Sequence, residues 1–156
     1  KDGHEREKLD LYLPADPKNA PLVVWIHGGG WLQGSKEHTP GLALLSEGYA
    51  MASLNYRYST QAIFPAQIED CKAAIRWLRA HAAKYHFDAN RIGVWGHSSG
   101  AHPTSLLGTY GYVPPPQGNG ENARFPHPVE AGGGSSAARW SAHPSSIGRM
   151  LRRRRR

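Results

Sequence analysis

The chain has 156 residues, of which 39% are hydrophobic and 20% are charged, and its formal net charge is +7. These values fit one globular domain with a modest core. No apolar run approaches the roughly 20 residues needed to cross a bilayer, so no membrane span is expected. The single cysteine, Cys71, excludes a disulfide within the chain.

The compartment stays open from the sequence. The chain begins with Lys1 and shows no charged segment followed by an apolar leader. We expect a soluble protein, either cytoplasmic or secreted with a leader absent from this chain. One cysteine does not decide between the two.

The positive charge lies almost entirely at the end of the chain. Residues 109–156 hold eight arginines and two glutamates, with no lysine or aspartate, so their net charge is +6. The basic character therefore says little about what the preceding residues bind. The run Arg152 to Arg156 has no interleaved aromatic side chains that could stack on bases, so no specific nucleic-acid binding is expected.

Four strands are predicted in the first two thirds of the chain. In "KLDLYLP", Leu9, Leu11 and Leu13 alternate with other residues, which is the period of a half-buried strand. "LVVWI" (22–26) is a short continuous apolar run, as expected for a strand buried on both faces. The other two are "YAMASLN" (49–55) and "RIGVW" (91–95).

A long helix is predicted between the third and fourth strands, over residues 65–85. Pro65 suits its first turn, and Glu69 and Asp70 place negative charge at the positive end of the helix dipole. One apolar stripe runs along the helix and consists of Ile68, Cys71, Ile75 and Leu78. Strand, helix and strand in this order predict an α/β fold, in which helices pack on a mostly parallel sheet.

This pattern ends after Leu107. From Thr109 onward, Val, Ile, Leu and Phe make up 5 of 48 residues, whereas Gly and Pro make up 13. So little apolar surface does not offset the entropy lost on ordering, and disorder is predicted. All six lysines precede Tyr85, and two explanations stay open: a genuine low-complexity tail or a shifted reading frame. We expect residues 1–108 to fold and 109–156 to form a Gly-, Pro- and Arg-rich tail.

The first candidate for chemistry is "GHSSG", Gly96 to Gly100, which directly follows the fourth predicted strand. It fits the pattern G-x-S-x-G, in which a serine occupies a sharp, strained turn from strand to helix. Side chains at the flanking positions would block such a turn. The pattern alone is weak because Gly and Ser are common in ordinary turns, but it makes Ser98 a candidate nucleophile.

A second motif strengthens that interpretation. "HGGGW", His27 to Trp31, follows the buried second strand, and its glycines let backbone N–H groups approach a substrate oxygen. An oxyanion hole needs such preorganised donors, each worth roughly 3 to 4 kcal/mol. A flexible glycine loop is the plainer alternative. However, both motifs follow strands, in the order that a serine hydrolase of this type requires.

From about Leu9 to Leu107 the sequence resembles the first half of α/β-hydrolase esterases and lipases. The resemblance is to the hormone-sensitive-lipase-like and the feruloyl or acetyl-xylan esterase-like groups. It rests on "LDLYLP", "VVWIHGGGW", "GSK", "LNYR", "FPAQIEDCKAAIRWLR" and "RIGVWGHSSGAH". It implies an α/β-hydrolase-type three-layer sandwich with a mostly parallel sheet, here incomplete at the C-terminal side.

The resemblance also implies roles for the matching residues. Ser98 would attack an ester carbonyl and form an acyl-enzyme. The backbone N–H groups of Gly28, Gly29 and Ser99 would form the oxyanion hole, and His27 would support the loop rather than act as the base. The implied activity is a serine carboxylic-ester hydrolase for short-chain or small aryl esters, with a small-molecule ester as its partner. No metal and no cofactor are implied.

Trp31 is expected either to line the substrate pocket or to belong to the core. His102 follows the candidate serine by four residues, and a core or packing role is favoured for it over that of a base.

The remaining members of a catalytic triad are not identifiable. Family members place an acid and then a histidine after later strands, but no aspartate follows Asp88 here. The weak candidates beyond Leu107 are Glu121, Glu130, His127 and His143. Without a base, a serine hydroxyl is a poor nucleophile at neutral pH. An oxyanion hole and binding alone still leave about 10³- to 10⁴-fold acceleration over water.

Two further expectations concern the C-terminal side. The alternative to a working esterase is a catalytically weak or inactive truncated fragment that binds acyl compounds or a protein partner. "RIGVW", normally a central strand, would expose a hydrophobic edge without its outer neighbours, so homo-oligomerisation through an exposed sheet edge is expected.

Overall fold

The structure is a computed structural model that describes residues 4–109, 129 and 131–135. Within them the strands are β1 (Leu9–Tyr12), β2 (Ala20–Ile26), β3 (Ala50–Leu54), β4 (Phe87–His97) and β5 (Ala131–Ser135). The α-helices are α1 (Ala66–Tyr85) and α2 (Ala101–Thr109), and short 3₁₀ segments span Leu42–Glu47 and Ser98–Gly100. The four strands and the long helix expected from the sequence are confirmed.

The strands form one open sheet in the order β1-β3-β2-β4-β5. β1 runs antiparallel to β3, and every other neighbouring pair is parallel. Ile26 at the end of β2 is level with Leu54 on one side and with Gly96 on the other. The segments that follow β2 and β4 therefore leave the sheet side by side, at the edge where ligands bind in open α/β sheets.

Helix α1 covers one face of the sheet with the expected apolar stripe. Ile68, Cys71, Ile75 and Leu78 are each at most 4% exposed. They pack in one cluster with alternate residues of β2 and β3, namely Leu22, Val24, Ile26, Ala50, Ala52 and Leu54. Burying each large aliphatic side chain stabilises the fold by about 1.5–3 kcal/mol. No helix in the described ranges is long and apolar enough to cross a membrane.

The opposite face of the sheet carries aromatic side chains. Trp25 of β2 is level with Trp95 of β4, and their rings meet edge to face with centroids 4.9 Å apart. Gly41, which precedes the first 3₁₀ segment, lies so close to Met51 that a Cβ there would be 2.6 Å from the methionine methyl carbon. This segment therefore packs on the face that α1 does not cover, and the fold belongs to the predicted α/β class.

An ion pair fixes the first turns of α1. The Asp70 side chain is 4% exposed, and Arg57 donates to it from Nε at 2.9 Å and from Nη2 at 2.5 Å. The backbone N–H of Arg57 donates to the same carboxylate at 3.0 Å. The sequence assigned Asp70 to the helix dipole, whereas its carboxylate instead holds the segment after β3 by a forked, charge-assisted contact. That contact raises the pKa of Arg57.

The fifth strand corrects the expectation for the C-terminal side. β5 pairs in parallel with β4, with Gly93 level with Ala131 and His97 level with Ser135. Backbone hydrogen bonds form a ladder without side chains, so a Gly-rich segment without hydrophobic alternation can still add a strand. The sequence implied that β4 forms the edge of the sheet, but β5 lies outside it in the described sheet. The segment predicted as a disordered tail thus contains a strand over residues 131–135. The other predictions for residues 110–128, 130 and 136–156 lie outside the described residues.

Candidate active site

Ser98 lies on a sharp turn between β4 and α2. Its φ is +52°, a left-handed conformation that costs a non-glycine residue roughly 1–2 kcal/mol. The residue is exposed at the carboxyl edge of the sheet. Such strain persists where the surrounding structure enforces it, and it concentrates at functional sites. The geometry is that of a serine presented on a strand-to-helix elbow.

Two positions of this elbow require glycine, because a side chain at either of them would clash with main-chain atoms. A Cβ at Gly96 would lie 2.2 Å from the Gly100 carbonyl oxygen, and a Cβ at Gly100 would lie 2.3 Å from the Ile26 carbonyl oxygen. Thr104 donates from Oγ1 to the Gly100 oxygen at 2.9 Å, which holds the start of α2. The elbow is thus pressed directly against the end of β2.

The loop after β2 runs beside the elbow. A Cβ at Gly28 would lie 3.1 Å from the Ser98 Cβ and 2.8 Å from the His97 carbonyl oxygen. Only glycine lets the two segments approach this closely. Because Ile26 and Gly96 are level in the sheet, strand register alone brings the two sequence motifs together.

The same loop closes on itself in a tight turn. Gly29 has φ +119°, and its carbonyl oxygen accepts hydrogen bonds from the N–H groups of Leu32 and Gln33, each at 3.1 Å. Neither the Gly28 nor the Gly29 N–H donates to a backbone carbonyl of the described residues. Ser99 follows the candidate nucleophile at the start of the helical turn. Gly28 and Ser99 therefore adjoin Ser98, Gly29 follows Gly28 in the same loop, and the oxyanion role of all three stays a prediction.

His27 is buried behind this loop, with 4% of its surface exposed. Its Nδ1 lies 2.7 Å from the Gly28 carbonyl oxygen and its Nε2 lies 3.3 Å from Arg6 Nη2. Because a guanidinium only donates hydrogen bonds, Nε2 is the acceptor, and Nδ1 carries the proton that is donated to Gly28. Burial lowers the pKa of His27 below its usual 6.5, and the charge of Arg6 acts in the same direction. Both ring nitrogens are thus engaged away from the serine.

Three side chains that the sequence analysis missed support the loop. The Tyr56 hydroxyl donates to the His27 carbonyl oxygen at 2.9 Å, and burial raises the pKa of Tyr56 to about 12. Arg6 and the Tyr58 hydroxyl both donate to the Gly34 carbonyl oxygen. Tyr56 lies in the quoted "LNYR", directly after the third strand. A tyrosine next to a buried strand could have signalled a hydroxyl with a hydrogen-bond partner. Arg6 precedes the first strand and carries no sequence signal.

An aromatic group lies at the rim of the loop. The half-buried Trp31 ring meets Tyr56 and His102 edge-on, with centroids 6.0 Å and 5.5 Å away. His102 is exposed, so a core position for it is wrong, and its ring lies 6.0 Å from Phe64, which is 60% exposed. Trp31 touches the core and also faces this exposed group, so both interpretations of it stay open.

The remaining triad candidates lie outside the described residues; they are Glu121, Glu130, His127 and His143. Among the described residues, no group of three or more His, Cys, Asp or Glu side chains could hold a metal ion. The described site thus contains an elbow serine and a glycine loop, but not the base.

Comparison with known proteins identifies the lineage. A family model described as BD-FAE matches residues 9–123, which is more than half of the chain. The chain belongs to the BD-FAE family. The match carries the α/β-hydrolase esterase resemblance beyond residue 108, where the sequence analysis places the end of the folded part.

Relatives of this BD-FAE family member include named esterases. Esterase LipC of Mycobacterium tuberculosis is 38% identical over 106 residues, which are 64% of this chain and 26% of LipC. A bifunctional GH43-CE of Bacteroides eggerthii is 41% identical with a TM-score of 0.72, over 83% of this chain and 20% of that one. A truncated carbohydrate esterase from gut microbiota is 36% identical with a TM-score of 0.73, over 83% and 50%.

These comparisons confirm an α/β-hydrolase fold for the BD-FAE chain. They also show that it spans between 20% and 50% of the length of these three proteins. The matched part contains the elbow serine and the glycine loop.

Proposed function

We propose that this chain is a serine carboxylic-ester hydrolase that acts on short-chain or small aryl esters through an acyl-enzyme on Ser98. The observation that carries the proposal is the left-handed Ser98, at φ +52°, packed against the Gly28 backbone at the carboxyl edge of the sheet. The names of its relatives, esterases and carbohydrate esterases, support the same reaction.

The proposed reaction has two steps. Ser98 Oγ attacks the carbonyl carbon of the ester and its proton passes to a base. The C–O bond to the leaving group then breaks, the base returns the proton to the departing oxygen so that the alcohol is released, and an acyl-enzyme remains. Water then attacks the acyl carbon and releases the carboxylic acid and the free serine. In both steps the carbonyl oxygen gains negative charge, which the N–H groups of Gly28, Gly29 and Ser99 would stabilise.

The base that accepts the serine proton is to be identified by experiment among the candidate histidines. His27 is unsuitable because Nε2 accepts from Arg6 and Nδ1 donates to Gly28. His127 and His143 are therefore replaced separately by Ala. The histidine whose replacement lowers the activity as much as Ser98→Ala does is the base, since members of a triad act as a unit.

The test is hydrolysis of p-nitrophenyl acetate by the full chain, by Ser98→Ala and by the matched control Ser46→Ala. Ser46 is exposed on the first 3₁₀ segment, where its hydroxyl donates to the Ala43 carbonyl oxygen. We expect Ser98→Ala to lower kcat by at least about 10³-fold, whereas Ser46→Ala stays near the wild-type rate. Equal rates for the wild type and Ser98→Ala would refute the proposal and favour the inactive-fragment alternative.

We also propose that the chain forms homo-oligomers through a sheet edge. In the described part of the sheet the outermost parallel strand is β5, and the polar groups along an edge strand pair readily with a second chain. Light scattering at micromolar concentration should report a dimer or a larger species. A monodisperse monomer would contradict this.

A further inference from the structure

Arg6, in the segment before β1, reaches across to the loop after β2. Its Nη2 donates to the Gly34 carbonyl oxygen at 3.0 Å and to His27 Nε2 at 3.3 Å. Its Nε donates to the Tyr56 carbonyl oxygen at 3.4 Å, and the guanidinium carbon lies 4.0 Å above the centre of the Tyr58 ring. The half-buried guanidinium is held on one face by the Tyr58 ring and along its edge by hydrogen bonds, an arrangement that lysine does not reproduce.

The contact with His27 selects one tautomer of the imidazole. Arg6 offers only donors, so a proton on Nε2 would leave two donors facing each other. The proton therefore stays on Nδ1, which donates to the Gly28 carbonyl oxygen at 2.7 Å. Arg6 thus determines whether the hydrogen bond between His27 and Gly28 forms.

That hydrogen bond sets the direction of the next N–H group. In a planar trans peptide the C=O of Gly28 and the N–H of Gly29 point in opposite directions. With the Gly28 oxygen held against His27 Nδ1, the Gly29 N–H is turned to the side of the loop opposite His27. A peptide between two glycines rotates with little steric resistance, so this orientation requires an external hold.

The hydrogen bond from Arg6 to the Gly34 oxygen supports the peptide between Gly28 and Gly29. Gly34 packs against that peptide so closely that a Cβ at Gly34 would lie 2.3 Å from the Gly28 carbonyl oxygen and 2.6 Å from His27 Nδ1. Arg6 and Tyr58 both donate to the Gly34 oxygen. The Arg6 guanidinium therefore contacts both His27 and Gly34, which lie on either side of the hydrogen bond between His27 and Gly28.

We propose that Arg6 is a positioning residue of the oxyanion loop: its guanidinium fixes the His27 tautomer and thereby orients the Gly29 N–H toward the substrate oxygen. The inference rests on the proposed function of that loop. It adds a residue that lies 21 positions before the first motif and belongs to no motif itself.

The test compares three variants of the full chain. Arg6→Met keeps the apolar stem and removes every donor, Arg6→Lys keeps the charge and one donor group, and Arg91→Met is the matched control. Arg91 pairs with Asp88 in the first half of β4, away from the elbow. For each chain, ¹⁵N NMR of the His27 ring reports the tautomer, and p-nitrophenyl acetate kinetics report kcat and KM.

For Arg6→Met we expect the His27 proton to spread over both ring nitrogens. We expect kcat to fall roughly 10- to 100-fold, less than the 10²- to 10³-fold cost of removing a whole oxyanion donor, with KM little changed because the ground state is bound as before. Arg6→Lys should recover the Nδ1 tautomer and part of kcat. Arg91→Met should match the wild type in both measurements.

A His27 proton that stays on Nδ1 in Arg6→Met would overturn the proposal, as would an unchanged kcat. If Arg6→Met does not fold, Arg6→Lys decides: a wild-type tautomer with partial kcat supports the proposal, and a tautomer mixture with full kcat overturns it. If the wild type hydrolyses no ester, the tautomer measurement still decides the role of Arg6, and only the proposed function fails.

Discussion

Replacing Gly100 by Ala tests how tightly the elbow is pressed against the end of β2. The added Cβ would lie 2.3 Å from the Ile26 carbonyl oxygen and 2.5 Å from the His27 carbonyl oxygen, whereas ordinary contact begins at 3.4 Å. Both neighbours are main-chain atoms, which do not rotate aside as a side chain does. The elbow and the end of β2 must therefore separate by about 1 Å.

The size of the effect follows from that displacement. Overpacking of this kind costs about 1–3 kcal/mol, so we expect the free energy of unfolding to fall by about 2 kcal/mol. A shift of about 1 Å between Ser98 and the Gly28 backbone should lower kcat on the order of 10²-fold, because catalytic geometry tolerates little displacement.

Gly30→Ala is the matched control. Gly30 has φ +61° with no atom within 4 Å of a Cβ, so alanine there meets backbone strain of about 1 kcal/mol without a clash. Urea unfolding followed by tryptophan fluorescence and p-nitrophenyl acetate kinetics are measured for both variants. If Gly100→Ala unfolds at the wild-type midpoint and keeps the wild-type rate, or if the two variants behave alike, the reasoning is wrong.

Three other results are expected. Ser98→Gly should be more stable than Ser98→Ala by about 1 kcal/mol in urea unfolding, because only glycine relieves the strain at φ +52°; equal stability would count against strain. Burial lowers the pKa of His27 below 6.5, so its stabilising effect is complete above about pH 6.5 and is lost as the pH falls toward the folded value. The stability difference between the wild type and His27→Asn should therefore shrink on acidification, and a constant difference would contradict this. Burial also raises the pKa of the Cys71 thiol, so a thiol reagent should label it only in denaturant.

The main elements were predictable because their sequence patterns reflect local physics. The stripe containing Ile75 and Leu78 has the period of a helix, and both residues are fully buried where α1 meets the sheet. Gly96 and Gly28 were predictable parts of the site for a similar reason, since the close approach of two main chains excludes every other residue.

Contacts between distant residues were not predictable. Asp70 looks like an ordinary acidic residue in a first helical turn, and its partner Arg57 lies 13 positions away. Arg6 and His27 are 21 positions apart, and neither residue type signals the other. The β5 ladder depends on backbone pairing with β4, which leaves no hydrophobic period in the sequence. These features depend on tertiary packing rather than on local propensity.

The central claim is that Ser98 is an activated nucleophile, and covalent labelling tests it most directly. The full chain is treated with an alkyl fluorophosphonate, and the modified peptide is identified by mass spectrometry, with Ser98→Ala and Ser46→Ala as controls. The account predicts a single adduct on Ser98 that forms in the folded chain and in Ser46→Ala, and that is lost in Ser98→Ala and in denaturant. No adduct, or equal labelling of another serine, would contradict it.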